Sequence, residues 1–188
     1  MEKGNWIEIQ LNIKNKIKEI FYDYNIENLN DYEKRKIVFE YLCNNLSYDY
    51  DLLNNIKDFN EGKKQISRNP YSELLSVINN KKGICNAISQ YYKLLLEELG
   101  IAVYCVICND GTIVNHQLNF VYDKENNCYS FDDVTSVIVG RGLIEDYYDY
   151  DLEFANEINQ GNIEVFDNYK WVVLDEEYIN YLVGREES

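Results

Sequence analysis

The chain has 188 residues, 46% of them hydrophobic and 27% charged, enough for one globular domain with a sizeable core and unlike a disordered segment. Eighteen basic residues against 33 acidic ones leave a net charge of −15. That field repels phosphate backbones and anionic bilayers, which argues against nucleic acid and membrane surfaces as partners and favours neutral or basic polypeptides.

Residues 1–12 alternate polar and apolar side chains and lack the continuous apolar stretch of a signal peptide. No segment approaches the length of a membrane span. Five cysteines, at 43, 85, 105, 108 and 128, are an odd number in a chain too long for a disulfide scaffold, so reduced thiols and a cytoplasmic location are expected. The 18 tyrosines predict many half-buried rings with the hydroxyl at the surface.

Trp6, Ile9, Ile13, Ile17, Ile20 and Phe21 recur at spacings of three and four, as an amphipathic helix requires. Asn30 or Asp31 is the expected cap of a second helix through Ile37, Phe39, Tyr41 and Leu42 to about Leu46. Residues 47–70, rich in Asn, Asp, Lys and Gly, read as a long irregular connection. A short helix over 72–79 follows Pro70, the only proline. The most regular helix is next: Ile88, Tyr91, Tyr92, Leu95, Leu96 and Leu99 line one face, with Gly100 at the C-terminal cap position. Gly83 stands just ahead, which places Cys85 in the first turn.

From Ile101 the period becomes extended. Strands are expected over 101–108 and 112–122, joined at the hairpin signal Asn109-Asp110-Gly111, then a third over 128–134 and a further one over 136–139. The tail reads as an acidic, Tyr-rich helical stretch over 143–159, a short strand near 171–174 and a last helix over 176–183. Helices followed by an antiparallel meander make the class α+β.

His116 is the only histidine, which removes most metal hypotheses. Cys105 and Cys108 form C-x-x-C, but residues three apart on a strand face opposite sides, so buried cysteine is the simpler reading. No metal and no cofactor is expected. A thiol in the first turn of a helix is different, because the unpaired N–H groups and the dipole favour the thiolate and can receive an oxyanion. By itself that position also suits a small apolar residue packed at a helix end. The downstream order adds weight: a strand with His116 near its start, then one ending in carboxylates. Antiparallel pairing brings these ends together, where an acid can hold the imidazole by its second nitrogen. Alternation puts Val114, His116, Leu118 and Phe120 on one face, read as the face packed on the helix. On the next strand Tyr129 and Phe131 continue to Asp133 rather than Asp132.

Gly83-Ile84-Cys85-Asn86-Ala87, with a helix ending in Leu99-Gly100-Ile101, resembles the nucleophile segment of transglutaminase-like proteins. His116-Gln117-Leu118-Asn119 resembles that family's His-Ala-Trp-Asn strand, Asp133-Val134-Thr135 its Asp-x-Thr, and Tyr48-Asp49-Tyr50 its upstream tyrosine segment. The likeness covers about 35–136 of a single domain over 1–188, leaving an acidic extension over about 140–188 without a counterpart. There are departures. The tryptophan of the His strand is missing, Cys128-Tyr129 stands where Trp-Tyr is usual, and counting on from Tyr129 as in Trp-Tyr-x-x-Asp selects Asp132 instead of Asp133.

The resemblance implies a papain-like α+β fold with the nucleophile helix packed on an antiparallel sheet. It also implies Cys85 as nucleophile, His116 as base, Asp133 (or Asp132) as the third member, and Tyr48 as a second oxyanion donor beside the Cys85 N–H. The expected activity is acyl transfer from peptide or carboxamide bonds, with hydrolysis by a protease or amidase ahead of cross-linking. The rival readings are a catalytically silent binding module and an acyltransferase of the arylamine N-acetyltransferase type. The segment 145–157, with Tyr147, Tyr148, Tyr150 and Phe154 among its acids, could grip a basic peptide, or be only a solvated helix face.

Overall fold

The structure, a computed structural model, describes residues 3–63, 69–109, 115–159, 162–168 and 170–186. In chain order come α1 (Lys3–Ile20), α2 (Asp31–Asn45), β1 (Ser47–Tyr48), α3 (Tyr50–Asn60), α4 (Pro70–Asn80), β2 (Lys82–Gly83) and α5 (Cys85–Glu98). They are followed by β3 (Val103–Asn109), β4 (His116–Asp123), β5 (Cys128–Asp132), α6 (Val134–Ile138), α7 (Ile144–Tyr147), α8 (Leu152–Asn159), β6 (Asn162–Asp167), β7 (Lys170–Val173) and α9 (Glu176–Glu186). The fold is α+β: N-terminal helices packed on a five-stranded antiparallel sheet of order β5-β4-β3-β6-β7.

The sheet is covered on both faces by different parts of the chain. On one face Val103 and Val121 join Ala87, Ile88, Tyr91, Tyr92, Leu95 and Leu96 of α5, backed by Ile9 and Ile13 of α1 and Val38, Phe39 and Leu42 of α2. On the other, Val106, Leu118, Phe120, Phe131, Ile163 and Val165 pack with Ala155 of α8 and Leu182 of α9. Leu118 and Phe120 therefore do not face α5, contrary to the expectation from their alternation; α5 lies on the Gln117–Asn119–Val121 face. The physical reason is that the C-terminal segment supplies its own helices to cover the more apolar side. Val114 lies outside the described residues, as does the hairpin tip at 110–114.

Local chemistry accounts for most helix ends. Asn30 accepts from Glu33 N at 2.8 Å while the Glu33 carboxylate accepts from Asn30 N at 2.9 Å, a reciprocal cap for α2. Pro70 begins α4 after an Asn69 cap. Gly100 closes α5 at φ +79°, a left-handed position that suits glycine.

Three expectations need correction. Within 47–70 there is regular structure: Asp49 accepts from Leu52 N at 3.0 Å and caps α3, with Ile56 buried beneath; residues 64–68 lie outside the description. The third strand stops at Asp132 and the expected strand over 136–139 is absent, replaced by α6. Asp133 caps that helix by accepting from Ser136 N at 3.0 Å, and the cap outweighs the β propensity of Val134, Thr135 and Val137. The tail contributes β6, which pairs with β3 from Val106↔Val165 to Asn109↔Asn162, as well as β7.

Candidate active site

Two short parallel strands set one wall of the site. Tyr48 in β1 pairs with Gly83 in β2, and Asp49 N donates to the Gly83 carbonyl at 2.8 Å. Gly83 is required by a close approach, since a Cβ there would lie 2.3 Å from Val77 Cγ2 of α4. Its role is to let α4 press on the strand that enters α5. The result is that the Tyr48 phenol lies beside Cys85, the first residue of α5, close enough for the two groups to interact electrostatically. Burial first, then the neighbouring thiolate, hold the Tyr48 hydroxyl well above its ordinary value, so it stays protonated and able to donate.

The opposite wall is the start of β4. His116, its first residue, sits close enough to the Cys85 sulfur for each to shift the other's titration, and places Nε2 at 2.7 Å from Asp133 Oδ2. The backbone of Gln117 is near enough to the sulfur to favour its ionised form. Asp133 is fully buried and is held by Ser136, whose hydroxyl donates to Oδ2 at 2.6 Å and whose N–H donates to Oδ1. The α6 cap thus orients the carboxylate that faces the imidazole. The adjacent Asp132 points the other way. It takes Arg35 Nε and Nη2 at 2.6 Å each and accepts from the Tyr92 hydroxyl at 2.7 Å.

The charge states follow. Burial opposes the Cys85 thiolate, yet the imidazole hydrogen bond and charge, with the Gln117 N–H, hold its pKa below the ordinary thiol range. His116 is pushed up to about 10: burial works against the cation, but the Asp133 charge and hydrogen bond, then Cys85, outweigh it. Asp133 is held below the ordinary carboxylate range despite complete burial, by the imidazolium and by Ser136. The shifts of the three groups are mutually coupled, so they titrate as one set.

Several supporting residues carry no strong sequence signal. Asn86 donates to Gln117 Oε1 at 3.3 Å, Gln117 Nε2 donates to Ser89 Oγ at 2.8 Å, and Asn119 donates to the Ser89 carbonyl at 3.0 Å. This polar seam fastens the tip of α5 to β4. Its only trace is polar residues where a helix and a strand should be apolar. Cys105 and Cys108 face opposite sides of β3, Cys105 beside Asn119 and Cys108 in the core under α8 and α9. Among the described residues no group of three or more His, Cys, Asp or Glu is arranged to hold a metal ion. No described helix is long and apolar enough to cross a membrane.

No protein-family model matches this chain, and no curated protein does. Solved structures do. The crystal structure of a TGase aligns with a TM-score of 0.58 at 19% identity, over 84% of this chain and 38% of that one. A chain of the Rad4–Rad23 complex bound to a 6-4 photoproduct UV lesion aligns with a TM-score of 0.50 at 11% identity, over 98% of this chain and 46% of that one. This chain spans less than half the length of either, and at such identities the likeness is one of architecture: it has the topology of the papain/transglutaminase-like fold.

Proposed function

We propose that this chain is a cysteine-dependent acyl-transfer enzyme that opens carboxamide or peptide bonds, with hydrolysis as its outcome. The observation that carries the reading is the placement of His116 between the Cys85 sulfur and Asp133 Oδ2, 2.7 Å from the latter, at the N-terminus of α5. In this scheme the Cys85 thiolate attacks the carbonyl carbon, and the C=O electron pair moves to oxygen. The Cys85 N–H and the Tyr48 hydroxyl donate to the oxyanion. When the tetrahedral intermediate collapses, the C–N bond breaks and His116 gives its proton to the departing amine or ammonia, leaving a thioester. Neutral His116 then takes a proton from water, hydroxide adds to the thioester, and collapse releases the carboxylic acid and the thiolate, with the proton back on the imidazole. Asp133 keeps the ring oriented throughout and balances its charge.

An amine in place of water would give cross-linking, and a silent scaffold would give neither. Incubation with peptides containing glutamine and lysine, followed by intact-mass measurement, separates these. Cleavage or a one-dalton deamidation shift supports hydrolysis, whereas joined peptides with loss of ammonia support transfer. The enzyme reading fails if iodoacetamide at neutral pH modifies Cys85 no faster than exposed Cys128.

A further inference from the structure

Two rows of side chains run across the sheet on the face that carries α5. Antiparallel pairs put directly opposed side chains on the same face. Gln117 pairs with Ile107, Ile107 with Glu164, and Glu164 with Val173. One step along, Phe166 pairs with Trp171, their ring centroids 5.3 Å apart. Helix α5 covers the β4 and neighbouring β3 part of this face. Beyond it the face is open: Phe166 is 53% exposed, Trp171 51% and Val173 43%. A contiguous apolar patch of this kind, on a chain that could have buried it, marks a surface built for contact. The rows begin at Gln117, whose side chain accepts from Asn86, the neighbour of Cys85, at 3.3 Å. Three strand spacings from Gln117 to Val173 make about 14 Å, the length of about four residues of extended chain.

We propose that this open face of β6 and β7 seats the residues flanking the reacting amide of a polypeptide substrate. It would take an apolar or aromatic side chain on Phe166 and Trp171 and a basic one against Glu164, within about four residues of the amide. The inference rests on the enzyme reading above and deepens it. A basic, extended polypeptide is the occupant because Glu164 stands within the apolar rows and the chain carries a net charge of −15. The same charge opposes a second copy of this chain as the occupant.

The test uses the full chain with Cys85→Ala, to prevent turnover, and Trp6→Phe, which leaves Trp171 as the only tryptophan of the two. Three short glutamine-containing peptides serve as probes: one with Phe, Val and Lys beside the glutamine, one with Ser in place of Phe and Val, and one with Glu in place of Lys. The first should bind and shift the Trp171 emission. The Phe166→Ala variant should weaken it about tenfold, as loss of an aromatic anchor does, and Glu164→Gln should erase the preference for the Lys over the Glu peptide. Unchanged binding in both variants, equal binding of all three peptides, or binding of none would overturn the inference. So would a dimer in sedimentation that Trp171→Ala dissociates, which would make the face a self-association surface. Iodoacetamide labelling of Cys85 in the otherwise unaltered chain keeps the two readings apart. A reactive Cys85 whose peptide turnover ignores Glu164→Gln and Phe166→Ala sinks this inference alone, and a bound peptide beside an inert Cys85 sinks the enzyme reading.

Discussion

Arg35 and Asp132 meet in the core through two parallel hydrogen bonds of 2.6 Å, joining α2 to the end of β5. The guanidinium is 2% exposed and also donates to Ser130 Oγ at 2.9 Å and to Asp149 at 3.1 Å. Its plane lies over the Tyr148 ring, 4.9 Å from the centroid. With Asp132 anchored on one side, the next carboxylate, Asp133, emerges on the other, beside His116. Removing one partner strands the other's charge in the core. We expect Arg35→Met to lose roughly 3–5 kcal/mol of unfolding free energy, and the double variant Arg35→Met/Asp132→Leu to lose much less. Urea denaturation of the single and double variants measures this.

His116, as the only histidine, gives an imidazole signal that needs no assignment. Its NMR titration should show the ring protonated through neutral pH, with a midpoint near 10. Asp133→Asn removes the largest favourable influence and leaves the burial, so the midpoint should fall toward or below the ordinary 6.5. The sign for stability is set by Asp133. Its folded pKa is depressed, so its contribution is present above the ordinary carboxylate pKa of 3.8 and is lost as pH falls through the depressed value. The Asn variant should lose that part of the acid sensitivity.

Alkylation of Cys85 should persist below the ordinary thiol range, because His116 holds the thiolate. In His116→Ala the burial penalty stands unopposed, and the pH midpoint of iodoacetamide labelling should move to alkaline values. A midpoint unmoved by the substitution would mean that the imidazole does not control the sulfur.

Tyr48→Phe discriminates two roles for one hydroxyl. As an oxyanion donor its loss should lower kcat by roughly 10²-fold with little change in KM. As a group that only crowds the Cys85 sulfur its loss should raise activity. Steady-state kinetics on an amide substrate reads the difference directly.

Gly83→Ala places a methyl group 2.3 Å from Val77 Cγ2, so α4 or β2 must move. A loss of about 1–3 kcal/mol is expected from overpacking, recovered in part by Val77→Ala. Thermal unfolding of the three variants is the measurement.

The sequence carries the parts of this structure that are local. The α5 periodicity, the Asn30 cap and the glycine after Leu99 each depend on neighbours within a few residues, and each element forms as its pattern suggests. Asp133 and Asp132 do point in opposite directions, but the strand ends at Asp132 and it is the α6 cap, not strand alternation, that orients Asp133. What the sequence could not convey is which layer covers which face. That depends on α8 and α9, whose packing against Leu118 and Phe120 is decided by tertiary contacts. The α6 segment misleads because Val134, Thr135 and Val137 favour strands, and one cap reverses the preference. Six residues suffice for β6, where Ile163 and Val165 alternate with Glu164 and Phe166 too briefly to stand out from a polar tail. Arg35 looks like an ordinary helix-surface cation because its partners lie 97 and 114 positions away.

Strand β3 takes β4 as one neighbour across a hairpin, but its other neighbour, β6, arrives only after α8. During synthesis Cys85, His116 and Asp133 all leave the ribosome before that second border of β3 exists. A polypeptide halted after α8 would expose a strand of bare amide and carbonyl groups to any other nascent chain. The last strands thus act as a seal on assembly, guarding a thiol made long before them.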